Sequence, residues 1–415
     1  MPKKLMIFMM LMCFFIGCTP TSSYFETEQD IDVIVEENKI LFGGLTNEQK
    51  IEDYEYMWKT LRMSFPFFGV ANRLGIDVDD IYKKFEKEVT ESKDDVDFLK
   101  CINSCINKFT GIGHLGVIDT QLYEYIKDIF KEYPARKSWD RVINNPKTKS
   151  LYLKLLDIEK EYGLFQPLQS LYGNGENNVI TEIIVPGKIA YIKINTFLQD
   201  FVKKDYEILR NFYSKVSGYE NLIIDITNNS GGSDDYWMRN IVSLLIDDTV
   251  SFTAHMLFSS SSNNDPYLQD SGVAINSRPI GELPYFENIN KEDLKQFTNF
   301  FRSEISVSPA EDRVNFNGKI WTLVNRDVYS ASESFTEFCK ATGFSTIVGE
   351  NTGGDGIGID PVYLILPNSG VAIRYSMLYG LNLDGSSNEE FGTTPDFISP
   401  SGESELDTCL KLIRE

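Results

Sequence analysis

From residue 189 onward, short apolar runs alternate with helical patterns, and this constrains the fold more than any other feature of the chain. IAYIKI (189–194), LIIDI (222–226), IWTLVN (320–325), STIVG (345–349), VYLILP (362–367) and VAIRYS (371–376) read as strands. Helical patterns lie near 200–217, near 234–246 and over 331–341. Strands that are apolar throughout belong inside a sheet covered on both faces, so the region reads as a layered α/β fold. Residues 258–315 are polar, with a serine run at 259–262, and read as a long surface excursion.

Upstream the texture is helical. Thr46-x-x-Gln49 is a capping box ahead of Ile51, Tyr54, Trp58 and Leu61 at helical spacing. Phe98, Ile102, Cys105 and Phe109 lie along one face of a second helix, which makes Cys105 a packing residue. Residues 46–117 form a small helical domain ending in a glycine-rich turn, TGIGHLG, that presents His114. A helical insertion follows at 118–181, and 182–415 is the α/β domain. The start of the chain is of another kind. Lys3 and Lys4 precede an apolar run from Leu5 to Ile16, too short to span a bilayer, so 1–17 reads as a signal peptide. It ends in Phe15-Ile16-Gly17-Cys18, which resembles the lipobox of bacterial lipoproteins. Cys18 is then the lipidated N-terminus, residues 18–45 are a tether, and the protein sits at the extracytoplasmic face of the cell membrane.

Charge and composition narrow the chemistry. The 61 acidic and 40 basic residues give a net charge of -21, which repels phosphate backbones and argues against nucleic acid as a partner. It also disfavours binding of anionic lipid by the folded surface, leaving the lipid anchor as the membrane contact. The six cysteines form no C-x-x-C pair, and the two histidines, His114 and His255, form no H-E-x-x-H. Neither a metal nor a cofactor is expected.

Three segments carry candidate chemistry. LIIDITNNSGGSDD (222–235) is a strand running into Gly231-Gly232 and then a helix start, a turn whose outward amides can hold an oxyanion; it is also an ordinary strand-to-helix turn capped by Ser233. LVNRDVYSASESF (323–335) ends a strand and puts Ser330 at a helix N-terminus, with the amide of Ala331 beside it. Ser330-x-x-Glu333 is equally a capping box, and a cap is the plainer role. His114 is a natural general base at neutral pH. His255, in SFTAHMLF with no glycine turn around it, reads as structural.

Taken in order, these segments resemble the tail-specific (C-terminal processing) serine protease family, in its tricorn-core-like branch. GIGH114 is similar to that branch's Asp-Gly-His or Asp-Ser-His element, and IAYIKINTF to its first catalytic strand. LIIDITNNSGG resembles Asp-x-Arg-Asn-Asn-x-Gly-Gly, and LVNRDVYSASES resembles Asn-Arg-x-x-x-Ser-Ala-Ser-Glu. IVGENTGGDG and EEFGTTPD resemble the segments that follow. The likeness covers about 46–115 and 182–400. It implies a crotonase/ClpP-like core and a serine-type endopeptidase acting on peptides or proteins. Ser330 is the implied nucleophile, with Ser332 its rival; Gly231, Gly232 and Ala331 supply the oxyanion hole; Glu389, with Glu390 as the alternative, supports His114. The processing branch keeps a lysine base 25 residues after its nucleophile. Here Asp355 occupies that position, so the resemblance leaves His114 as base. The family's serine before the histidine is Gly113 here, Ile112 replaces its aspartate, and Thr227 replaces an arginine.

Two other readings follow from the same residues. One is a catalytically inactive peptide-binding lipoprotein on the same fold. The other, an α/β-hydrolase esterase, lacks any G-x-S-x-G. Residues 118–175 show no glycine-rich carboxylate-binding loop of the PDZ kind, so recognition of chain ends does not follow from the sequence.

Overall fold

The computed structural model describes residues 41, 43–168 and 177–415. The expected signal peptide, Cys18 and nearly all of the tether lie outside the described residues. The chain forms two compact units. The first comprises residues up to 167 with 260–275 and 360–377, and the second comprises 168–259, 276–359 and 378–415.

The first unit opens with α1 (Asn47–Ser64), α2 (Phe68–Arg73), α3 (Val78–Thr90) and α4 (Asp95–Ile106). Their starts are written locally. Thr46 and Gln49 close the expected capping box, and the carboxylates of Asp77 and Asp94 cap α3 and α4. Trp58 stacks on Phe68 and meets Tyr54 and Phe109 edge-on, and Cys105 is fully buried. Strand β1 (Gly116–Val117) follows the histidine turn. After it come α5 (Thr120–Ile129), α6 (Lys137–Ile143) and α7 (Pro146–Glu161), the last capped by Asn145 with proline at its first position.

The second unit begins with β2 (Val179–Val185), β3 (Ile189–Ile194), α8 (Gln199–Lys215) and β4 (Asn221–Asp225). Next is α9 (Asp234–Trp237), which runs on through a π turn at Met238–Val242 and a last turn at Ser243–Leu245, then β5 (Val250–Phe258). The short α10 (Asp265–Asp270) belongs to the first unit. The second resumes with β6 (Ser277–Pro279), α11 (Lys291–Leu294), β7 (Asn299–Val307), β8 (Lys319–Val324), α12 (Ala331–Thr342) and β9 (Thr346–Gly349). Strands β10 (Val362–Ile365) and β11 (Ala372–Tyr375) return to the first unit, and β12 (Tyr379–Leu381), α13 (Asn388–Phe391), β13 (Phe397–Ile398) and α14 (Glu405–Arg414) complete the second.

The central sheet of the second unit has the order β13-β9-β8-β4-β3-β2, parallel except for β2. Leu222 and Ile224 join one hydrophobic core with Trp237, Phe335 and Phe338, while Ile223 joins another with Trp321, Leu323 and Cys409. Alternate residues of one strand thus enter separate cores, which is why β4 is apolar from Leu222 to Ile224. This is the expected α/β class, with a mixed sheet and a helical N-terminal region.

Two expectations are corrected. Residues 258–315 are not an irregular excursion: they contain β6 and β7, and the second unit has an antiparallel sheet of order β12-β5-β7-β6. β5 and β7 pair from Val250 opposite Val307 to Phe258 opposite Asn299. One face of β7 exposes Arg302, Glu304 and Ser306, so its polar residues mark a solvated strand face, not a loop. The runs 362–367 and 371–376 are strands, but they do not join the parallel sheet. They form the antiparallel sheet β1-β11-β10 of the first unit, with Gly116 opposite Arg374.

Candidate active site

Four non-glycine residues among those described have positive φ: His114, Asn228, Ser330 and Asp355. Each lies in a segment singled out from the sequence. Such backbone costs about 1–3 kcal/mol per residue and gathers where geometry must be held against local preference.

Ser330 stands between β8 and α12 with φ 59° and ψ -126°, and its side chain makes no capping hydrogen bond. The capping-box alternative is therefore not what is built. Glu333 does not turn back toward Ser330; it is fully buried, accepting from Asn388 Nδ2 at 2.7 Å and meeting the Thr393 hydroxyl at 2.7 Å. Ser332, the rival nucleophile, is also fully buried, its hydroxyl set between the carbonyls of Asn229 and Tyr329. Only Ser330 of the two retains exposure.

The glycine turn lies against this serine. Asn228 N donates to Asn325 Oδ1 at 2.9 Å and Asn325 Nδ2 donates to Asn228 Oδ1 at 2.7 Å, locking the loops after β4 and β8 together. Gly231 has φ 104°, and a Cβ there would lie 2.7 Å from Tyr329 O, 2.8 Å from Ala331 N and 2.9 Å from Ser330 Cβ. Glycine is required for this approach. The Gly231 amide, expected as an oxyanion donor, is engaged in its own turn, donating to Asn229 Oδ1 at 2.9 Å. The amides of Gly232 and Ala331 have no acceptor among the described residues. Ser233 caps α9 as expected. Where an arginine was expected, Thr227 and Asp225 instead hold Lys193, whose Nζ donates to Asp225 Oδ1 at 2.8 Å and to Thr227 O at 2.6 Å.

The segment after β9 closes the other side of Ser330, whose amide donates to Gly354 O at 3.1 Å. The Tyr329 hydroxyl lies 3.2 Å from Asp355 Oδ2 and 3.3 Å from Glu389 Oε2. Glu389, not Glu390, is the buried acid of α13. Beneath them, the Thr393 hydroxyl lies 2.7 Å from Glu333 Oε1 and 3.0 Å from Glu337 Oε2. Burial pushes Glu333 up to about 8 and Glu337 up to about 7, against hydrogen bonds from Thr352, Thr393 and Asn388 to the first and from Thr393 to the second. One hydroxyl proton cannot serve two carboxylates, so the pair retains a proton of its own.

His114 belongs to the first unit, at φ 50° between Gly113 and Leu115. Its Nδ1 lies 3.1 Å from Ser376 Oγ, and Ser376 N donates to Gly113 O at 2.7 Å. His255 lies on β5 with its ring against Phe286 and Phe300, and burial, then the Arg302 charge, lower its pKa. Ser376, Tyr329 and Glu337 were not expected from the sequence, and Glu333 was expected only as part of a cap. Tyr329 and Glu333 sit inside the motif at 323–335 and Glu337 just beyond it, while Ser376 ends an ordinary apolar run and carries no signal of its own. No group of three or more His, Cys, Asp or Glu among the described residues is arranged to hold a metal ion.

The profile of peptidase family S41 matches residues 188–399, about half of the chain. No curated protein matches it. Among solved structures, a candidate peptidase from Parabacteroides merdae aligns with TM-score 0.54 and 17% identity, covering 88% of this chain and 97% of the other. Mature CPAF in complex with lactacystin aligns with TM-score 0.54 and 13% identity, covering 89% and 97%. At these identities the likeness is one of fold. The family match reaches from β3 through the Ser330 turn to β13, and on it the chain belongs to peptidase family S41, the tail-specific serine proteases.

Proposed function

We propose that the protein is a serine endopeptidase acting through an acyl-enzyme, with Ser330 as nucleophile and His114 as general base. His114 Nε2 takes the Ser330 proton as Oγ adds to the scissile carbonyl, then delivers it to the departing amine. Water enters in the amine's place and releases the acyl group by the same steps reversed. The amides of Gly232 and Ala331 receive the oxyanion, aided by the N-terminus of α12. Gly231 serves by fit, permitting the turn to reach Ser330, and Glu389 is the acid that supports the histidine. Asp355 takes no part in proton transfer.

The observation that carries this reading is the backbone of Ser330. A capping serine has extended φ and a hydroxyl bonded to the first turn, and Ser330 has neither. A fluorophosphonate probe should label Ser330 in the native chain and leave Ser330→Ala unlabelled. A folded native chain that takes up no probe would overturn the reading and favour a peptide-binding protein without turnover.

The same proposal places the enzyme outside the cell, tethered through a lipid on Cys18 and acting on peptides or proteins that reach the outer face of the membrane. Cys18→Ala should abolish incorporation of radioactive palmitate, and equal labelling of the mutant would sink the anchor.

A further inference from the structure

Resting on the reading of His114 as general base, we propose that Ser376 is the positioning residue that fixes its imidazole, in place of the serine that Gly113 lacks. Ser376 Oγ lies 3.1 Å from His114 Nδ1, and the residue is 6% exposed. The backbone reinforces the side chain. Ser376 N donates to Gly113 O at 2.7 Å, and two residues earlier Arg374 pairs with Gly116 across β1 and β11. The histidine is thus held on both sides by one stretch of strand.

The residue before the histidine cannot do this work in this chain. Gly113 has φ 54°, and a Cβ there would fall 2.7 Å from Phe65 Cε2 and into the ring of Phe67. Those two rings pack edge-to-face at 5.5 Å, and Phe65 also meets Tyr375, the neighbour of Ser376, at 6.1 Å. The aromatic packing that excludes a side chain at 113 therefore adjoins the residue that replaces it.

The chemistry sets the direction of the bond. To accept a proton the imidazole must offer an unprotonated Nε2, so Nδ1 carries the hydrogen and donates it to Ser376 Oγ. A hydroxyl fixes tautomer and orientation in this way, but it brings no negative charge to the imidazolium that forms.

The chain contains only two histidines, which makes ring ¹⁵N spectra readable once His255→Gln assigns the second. In the neutral native protein, the His114 signals should be those of a ring protonated at Nδ1. Ser376→Ala should shift them toward the other tautomer and lower kcat about 10- to 100-fold with KM changed less than about threefold, the effect of one lost hydrogen bond on an aligned base. Ser376→Thr keeps the hydroxyl and should restore both the spectrum and turnover to within a few-fold, which a loss of packing alone would not allow. An unchanged ring spectrum with near-native kcat in Ser376→Ala would overturn the proposal. If His114→Ala retains native turnover, the base assignment fails instead, and the ring spectrum of Ser376→Ala still reports separately on the His114–Ser376 bond.

Discussion

The Ser330 turn and the His114 turn solve one problem by different means. Both hold a non-glycine residue at positive φ. The Ser330 turn is built from loops adjoining the parallel sheet, 228–232 after β4, 325–331 after β8 and 352–356 after β9, with Glu389 of α13 reached through Tyr329. Parallel strands deliver their carboxyl ends to one edge, so such loops meet as a consequence of the sheet. Around His114 the support is a strand from far along the chain, joined to the turn by an antiparallel ladder, one backbone bond and one hydroxyl. The first arrangement follows from the layered sheet, and the second rests on one contact between residues far apart in sequence.

Substitutions put that contrast to the test, and the largest effects fall on the two central residues. Ser330→Ala and His114→Ala should each lose at least about 1,000-fold in peptide hydrolysis while melting within a few degrees of the native protein, and the double mutant should be hardly worse than either single. Additive losses would mean that the two turns do not act as one unit. Next is the close approach of the glycine turn. Gly231→Ala sets a Cβ against Tyr329 O and Ala331 N and should lower turnover about 100-fold by displacing the serine, whereas Gly218→Ala, which meets nothing within 4 Å, should be silent. Equal tolerance at both positions would deny that the glycine turn bears on Ser330.

A smaller effect concerns stability. Glu333 and Glu337 sit above the ordinary 4.5, at about 8 and about 7, so between these limits the folded protein keeps protons that the unfolded chain has released. Stability contributed by the pair must therefore fall as pH rises from about 4.5 to about 8, although Lys340 tempers the effect at Glu337 and Asp384 adds to it. Melting curves across that window should show the decline, and Glu333→Gln should flatten it; a native profile that is already flat would remove the shared proton. The smallest effect is expected at Asp355. Asn tolerates the same positive φ, so Asp355→Asn should stay within about tenfold of native turnover, about 1.4 kcal/mol of barrier. A loss of 1,000-fold would bring Asp355 into the chemistry.

The contrast also explains what could be read in advance. The Ser330 loop and the double glycine were legible because positive φ and close backbone contact leave a mark in composition: glycines, asparagines and a small residue at a helix start. The parallel strands were legible because burial on both faces demands an unbroken apolar run such as LII in β4. β7 was not, since NFFRSEISV shows charge on the face that water covers, and that texture is shared with loops. Ser376 was invisible for a different reason. A serine that ends a strand looks like any other, and its partner lies 262 residues away with no pattern linking the two. The capping-box reading of Ser330 failed because SASE satisfies a local rule that the buried Glu333 cannot obey once Asn388 and Thr393 claim it.

The unit that carries His114 is assembled from three separate stretches of chain, the last of them 360–377. Emerging from a ribosome, the polypeptide presents its histidine turn long before β11 exists to grip it. Closing so long a loop is entropically costly and slow compared with local helix formation. A nascent or truncated chain that stops short of residue 377 thus lacks the strand that holds His114, and the proposed base is seated only after that stretch has been made. Timing of this sort would keep the proposed base idle until that strand has formed.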